Sequence, residues 1–272
     1  MSLTLRYRGE TTLPVEVDGL LPAALRELGL PQIERFTIHH GKQKRPLAEW
    51  FDVSGDAADL RIDLEGDLSG VHSIGSGLRE GTIHIHGPAG RHVGSGMRGG
   101  EVVVHGDAGD WLGAEMRGGM LRVDGNAGNL VGAAYRGSPR GMRGGTILVS
   151  GHAGHEVGCS MRRGLIVIGG DCGDFVGFSM LAGNVYVFGD CGRRPGAAMR
   201  RGTLGFFGPQ PPALLPTFRK AGSYGPQFLQ LLFQELKRRD FAVPGEITEA
   251  EFDLYHGDMV ELGRGEILIR KT

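Results

Sequence analysis

Residues 82–100 read TIHIHGPAGRHVGSGMRGG, and residues 101–119 read EVVVHGDAGDWLGAEMRGG. The two segments align without a gap, and self-similarity at a fixed period marks a repeat architecture. The 19-residue unit continues as MLRVDGNAGNLVGAAYRGSPRGMRGG (120–145), TILVSGHAGHEVGCSMRRG (146–164), LIVIGGDCGDFVGFSMLAG (165–183) and NVYVFGDCGRRPGAAMRRG (184–202). A degenerate turn at 60–81 precedes them and a partial one at 203–208 follows. The third turn carries seven extra residues, Tyr135 to Gly141.

Read as columns, the unit opens with alternation. Positions 2 and 4 are apolar in every turn, as in Ile83 and Ile85, Val102 and Val104, or Val185 and Val187. Period two predicts a strand with one buried face. Position 12 (Val93, Leu112, Val131, Val157, Val176) and position 16 (Met97, Met116, Met142, Met161, Met180, Met199) add two more apolar columns. Position 8 holds only small residues, alanine in the early turns and then Cys172 and Cys191. Glycine columns stand between, where a backbone needs φ > 0 or close approach without a Cβ. Nineteen residues are too few for a helix pair but suit one coil of short strands with tight corners. The expected fold is mainly β, a right-handed parallel β-helix of 19-residue coils with α+β caps at both ends. A coil alone cannot cover its own apolar face, so stability comes from stacking and the ends need capping. The expected division is an N-terminal cap at 1–59, the β-helix at 60–208, and a C-terminal cap at 209–272. Within the caps, Pro22 to Leu28 and residues 226–239 read as helices, and Gly257 to Ile269 as a hairpin.

Bulk composition excludes several classes. The 49 glycines among 272 residues, about 18% against a usual ~7%, must come from the corners, because 13 prolines are too few for collagen. A net charge of −1 argues against nucleic-acid binding. Three cysteines do not make a disulfide framework. No signal peptide or membrane span is expected, since no apolar run approaches ~18 residues, and a cytoplasmic location follows.

Candidate chemistry is sparse. GSGMRGG at 94–100 recurs in every turn and precedes no helix, so it is not read as a nucleotide loop. His84, His86 and His105 lie on the outward strand face, where three imidazoles could meet a metal. No carboxylate is evident beside them, and the preferred reading is a polar or interface face without metal. Cys172 and Cys191 should stack, and with Cys159 they read as small buried residues. Position 17 is a column of arginines: Arg79, Arg98, Arg117, Arg143, Arg162 and Arg200, interrupted at Leu181. Stacked cations repel, by ~1 kcal/mol per neighbour even in water, so the column needs counter-charge. That charge is either internal, from Asp107, Asp171 and Asp190, or external, from an anionic ligand or partner surface. Internal pairing is the preferred reading of the residues by themselves. Lys42, Lys44 and Arg45 form a second basic spot. No nucleophile, acid–base pair or metal cluster is arranged as an active site.

The G-x-x-M-R-G-G corner resembles the glycine-repeat β-helix domain of glutamate synthase large subunits. The chain as a whole is similar to the C-subunit family of formylmethanofuran dehydrogenases. The features that carry this are HGKQKRPLAEWFDVSG (40–55), the coils, the insertion ending GMRGG, and YHGDMVELGRGEILI (255–269). Its Arg- and Ala-rich, Lys-poor composition favours the bacterial branch, the formyltransferase/hydrolase complex of methylotrophs. That resemblance implies a scaffold without an active site of its own. It also implies three partners: an amidohydrolase-like A subunit, a B subunit and a formyltransferase D subunit. The complex would take formyl-tetrahydromethanopterin to formate through a methanofuran-type carrier. No directly bound cofactor is implied, but the carrier's poly-glutamate tail makes Arg98, Arg117, Arg143, Arg162 and Arg200, or Lys42, Lys44 and Arg45, an expected contact. The alternatives are the C subunit of an archaeal-type tungsten or molybdenum dehydrogenase and, less favoured, a stand-alone β-helix enzyme.

Overall fold

The structure is a computed structural model and describes residues 2–271, so the outermost residues of the two expected caps, 1 and 272, lie outside it. The repeat folds as a parallel β-helix. Its long sheet stacks Arg61–Glu65, Thr82–His86, Glu101–Val104, Arg117–Val123, Arg143–Val149, Arg163–Ile168, Asn184–Val187 and Arg201–Phe206, each parallel to the next. Registry follows the columns: Ile83 faces Val102, Val102 faces Leu121, Leu121 faces Ile147, and so on to Leu204. Positions 2, 4, 12 and 16 point inward and are fully buried. The small residues of position 8 bridge from coil to coil as a second ladder, Leu68 to Ala89 through Cys172 to Cys191. The insertion does not break registry, because Val123 still faces Val149 across it.

Two glycine columns show why the period is kept. Gly113 has φ +60°, and a Cβ there would meet Ile147 Cδ1 at 2.5 Å. Gly106 lies against the backbone of Gly87, where a Cβ would come within 2.7 Å. Glycine is not the sole left-handed residue at the corners. Position 11 is left-handed in coil after coil, at His92, Trp111, Leu130, Glu156, Phe175 and Arg194, with φ between 56° and 65°. Side chains there cost of order 1 kcal/mol each. A coil-to-coil hydrogen bond offsets this, as the Trp111 N–H donates to the Asn129 carbonyl (2.9 Å) and the Phe175 N–H to that of Arg193 (2.9 Å).

The long sheet runs on into both ends. Leu3–Tyr7 stacks parallel on Arg61–Glu65, with Phe51–Ser54 antiparallel at its edge. At the far end Arg264–Arg270 stacks parallel on Arg201–Phe206, followed by antiparallel Phe252–Gly257 and Arg219–Tyr224. A four-stranded sheet of Gln43–Pro46, Thr37–His40, Val15–Glu16 and Val71–His72 completes the N-terminal end. The helix expected at Pro22 to Leu28 is shorter, Pro22–Leu25, and a second helix that was not expected follows at Leu30–Glu34. Gly29 is the N-cap of this second helix and Pro31 lies in its first turn, where the missing N–H costs nothing. The C-terminal hairpin begins at Phe252 rather than Gly257, because the turn lies at 258–263. The helix Gln227–Arg238 buries Leu229, Phe233 and Leu236 against the outward face of the last coils, on Leu148, Val167, Tyr186, Phe188 and Phe207.

Candidate functional site

Position 17 begins the run into the long sheet, and its backbone is pinned. The Arg98 N–H donates to Leu78 O (2.7 Å), Arg117 to Met97 O (2.7 Å), Arg143 to Met116 O (2.6 Å), Arg162 to Met142 O (2.8 Å) and Arg200 to Met180 O (2.8 Å). Successive arginine stems thus stand about one strand separation (~4.8 Å) apart along the stack, with a register shift at the corner that puts Arg117 opposite Gly144 and Arg143 opposite Arg163. The side chains of Arg79, Arg98, Arg117, Arg162 and Arg200 are exposed. Arg200 is paired with Glu261 (Nε to Oε2, 3.0 Å). None of the other ladder arginines has a carboxylate partner among the described residues. Arg143 is half-buried, and its buried Nε has no hydrogen-bond partner among the described residues.

The aspartates that could have neutralised the ladder are engaged elsewhere. Asp107 Oδ1 accepts the Asn126 N–H (2.7 Å), Asp171 Oδ1 the Asp190 N–H (2.7 Å), and Asp190 Oδ1 the Gln210 N–H (3.2 Å). They cap the next coil's backbone at a different corner, so the structure corrects the expected internal pairing of the arginines.

At Leu181 the ladder is interrupted, and two adjoining clefts of about 420 and 450 Å³ share Arg162, Leu181 and Arg200. One is walled by Pro139 and Arg140 of the insertion and by Glu261 of the hairpin turn. The other adds Arg163, Arg201 and Leu262. Both walls are anchored. Tyr135, at the root of the insertion, hydrogen-bonds Ser95 Oγ (2.6 Å) and His92 Nδ1 (2.9 Å) through its hydroxyl. The buried Asp258 carboxylate holds the turn by accepting the N–H groups of Ala198 (3.1 Å) and Val260 (3.1 Å).

The histidines do meet. His84, His86 and His105 stack with ring centroids 5.1–6.1 Å apart. Carboxylates that the sequence reading did not place are beside them: His86 Nε2 lies 3.0 Å from Asp63 and His105 Nδ1 2.8 Å from Asp124. Asp63 reaches across from the preceding coil and Asp124 from the following one; the 19-residue offset points to Asp124, whereas Asp63 stands opposite His84 at an offset of 21, outside the period. Hydrogen bonding from Arg61 holds the Asp63 carboxyl well below the usual range. Burial raises Asp124, but hydrogen bonds from His105 and Arg122 outweigh it. Burial, with Arg61 nearby, lowers the His84 imidazole. The cluster is thus internally paired, and no group of three metal-ligating side chains among the described residues could hold an ion.

Lys42, Lys44 and Arg45 sit on the outer hairpin of the N-terminal four-stranded sheet, exposed, with Arg45 3.8 Å from Glu49. They line neither cleft of the ladder. The three cysteines are free thiols, and burial pushes Cys191 up to about 12 and Cys172 well above its ordinary value.

A chain of the formyltransferase/hydrolase complex (FhcABCD) from Methylorubrum extorquens, solved in complex with methylofuran, superimposes with a TM-score of 0.90. That match has 32% identity and covers 99% of this chain and 100% of that one. Among curated proteins, the C subunit of the molybdenum-containing formylmethanofuran dehydrogenase 1 of Methanothermobacter thermautotrophicus is 41% identical over 91 residues, 33% of this chain and 23% of its own length. The C subunit of the tungsten-containing formylmethanofuran dehydrogenase 2 of Methanococcus maripaludis is 35% identical over 92 residues, 34% of either chain. The chain therefore spans only about a quarter to a third of the curated relatives it matches. No family model matches. Repeat, caps and whole-chain superposition together show that the chain belongs to the C-subunit family of formylmethanofuran dehydrogenases.

Proposed function

We propose that this chain is the non-catalytic scaffold of a cytoplasmic formyltransferase/hydrolase complex that converts formyl-tetrahydromethanopterin to formate through a methanofuran-type carrier. The observation that carries the reading is the end-to-end match, caps included, to a chain of such a complex. An amidohydrolase-like A subunit, a B subunit and a formyltransferase D subunit are its partners on this reading. Two features support the scaffold role. The cluster of stacked imidazoles is internally paired, and the thiols of Cys172 and Cys191 are held protonated by burial. No helix among the described residues is long and apolar enough to cross a membrane, which is compatible with this location.

The arginine ladder is the part of the scaffold that addresses the carrier. Its cations, Arg200 apart, lack internal carboxylate partners among the described residues, and a poly-glutamate tail supplies carboxylates on a flexible chain. Affinity capture of the native protein, with its companions identified by mass, tests the assembly. Recovery of the A, B and D subunits is expected. Turnover by the purified chain alone would contradict the scaffold role. The curated relatives favour a second reading, the C subunit of a tungsten or molybdenum dehydrogenase. Capture of a metal-containing, formate-dehydrogenase-like B subunit would establish that reading instead.

A further inference from the structure

The helix Gln227–Arg238 carries more apolar side chains than its packing covers. Leu229, Phe233 and Leu236 are buried against the outward face of the last coils, and Leu232 is half-buried beside them. Phe228 and Leu231, three residues apart on another side of the helix, remain 44% and 69% exposed. Tyr224, the last residue of the edge strand Arg219–Tyr224 that leads into the helix, is exposed as well. A helix with one apolar stripe is satisfied by one neighbour. A helix with apolar side chains on a second side leaves a patch that calls for a second neighbour.

The uncovered side has the make-up of a contact surface. From Tyr224 to Gln234 the exposed polar side chains of the helix are Gln227, Gln230 and Gln234, and no charged residue occurs, in a chain of which 22% is charged. Loss of charge around aromatic and aliphatic anchors marks the centre of a protein–protein contact. The last turn is different. Lys237 and Arg238 are exposed there, and Lys237 has no carboxylate partner among the described residues. Glu235 lies 3.8 Å from Arg238 but is held by Arg239 at 2.7 Å. An uncharged centre with a cationic end fits a surface that is apolar in the middle and acidic at one end. The same pattern disfavours a second copy of this chain. Two of these helices packed antiparallel about Leu231 would set Lys237 and Arg238 of each over Tyr224 to Gln227 of the other, which offer no carboxylate. Packed parallel, the cations would face each other.

We propose that this side of Gln227–Arg238, together with Tyr224, is a docking face for a different protein that presents an apolar groove with carboxylates where the last turn meets it. Phe228 and Leu231 are its anchors. The inference rests on the scaffold reading for the existence of companions and goes beyond it by assigning the surface and the chemistry that meets it. The test is made on the native assembly. Leu231→p-benzoylphenylalanine in the full chain places a photo-crosslinker at the centre of the face, and the crosslinked segment is sequenced. The expected segment belongs to a different protein and combines apolar side chains with Asp or Glu. A crosslink to a second copy of this chain, a segment without Asp or Glu, or no crosslink while companions are retained would overturn the docking face. Leu231→Glu is expected to lower the amount of the crosslinked companion retained by about tenfold, and Arg238→Glu by about threefold. Both side chains are exposed, so the denaturant midpoint of the free chain should not move. Retention by Leu231→Glu equal to that of the parent would overturn the docking face and leave the scaffold reading standing. Retention of no companion by the parent chain would overturn both.

Discussion

Two corners of the same coil stack polar side chains every 19 residues, and they do opposite things. At position 7 from Asp107 to Asp190, and at position 10 from Asp110 to Asp174, the side chain accepts an N–H of the next coil. Asn126 Oδ1 accepts the His152 N–H (2.9 Å), His152 Nδ1 the Asp171 N–H (2.9 Å), Asn129 Oδ1 the His155 N–H (2.8 Å), and Asp174 Oδ1 the Arg193 N–H (2.8 Å). At position 17 the backbone is satisfied but the arginine side chains, Arg200 apart, have no carboxylate partner among the described residues. A ladder of identical spacing can thus be a staple or a docking strip. What separates them is whether each rung is consumed by its neighbour.

The largest stability effect should fall on the staple corner. Asn129→Leu leaves the His155 N–H without its acceptor and takes a side-chain donor from the Asp110 carboxylate, and should cost about 1–3 kcal/mol in a denaturant titration. A midpoint equal to that of the parent would break the distinction. At the other corner, Arg98→Ala and Arg117→Ala should leave the midpoint unchanged or raise it at low salt, since each removes like-charge repulsion. A clear loss of stability there would mean that the ladder is structural after all.

A smaller effect concerns pH. Burial lowers the imidazoles of His72, His84 and His92. Below the ordinary histidine range, ~6.5, the unfolded chain takes up protons that the folded chain refuses, so stability falls with falling pH. The carboxylates of Asp63 and Asp124 are held low, and their contribution is present above ~4 and lost only on further acidification. Denaturant midpoints at pH 7, 6 and 5 should decrease in that order, and a rise would contradict the sign. Smallest is the thiol column. Cys172 stacks on Ala153, so Cys172→Ala should barely move the midpoint, and the native thiol should react slowly with alkylating reagents.

Periodicity made most of the fold legible. The inward columns and the methionine column could be read because one coil repeats the next, and registry then required no further information. The caps were less legible: the helix expected to run to Leu28 ends at Leu25, and no period announces the helix Leu30–Glu34. The site was half legible. Arg98, Arg117, Arg143, Arg162 and Arg200 were visible as a column, but their counter-charge was not. Asp107 and Asp171 look the same in a sequence whether they pair with an arginine or cap an N–H. Glu261 lies 61 residues beyond Arg200 and outside the repeat, so no period points to it. Asp124 could have been placed beside His105 by counting one coil up, whereas the longer degenerate turn puts Asp63 off the period.

The central claim is that the arginine corner serves the carrier rather than the fold. In the assembled complex, Arg98, Arg117 and Arg143 are changed to Ala together, and carrier-dependent turnover is measured with subunit composition checked in the same sample. The account predicts intact assembly with a raised KM for the poly-glutamate carrier. Intact assembly with unchanged turnover and carrier affinity would contradict it.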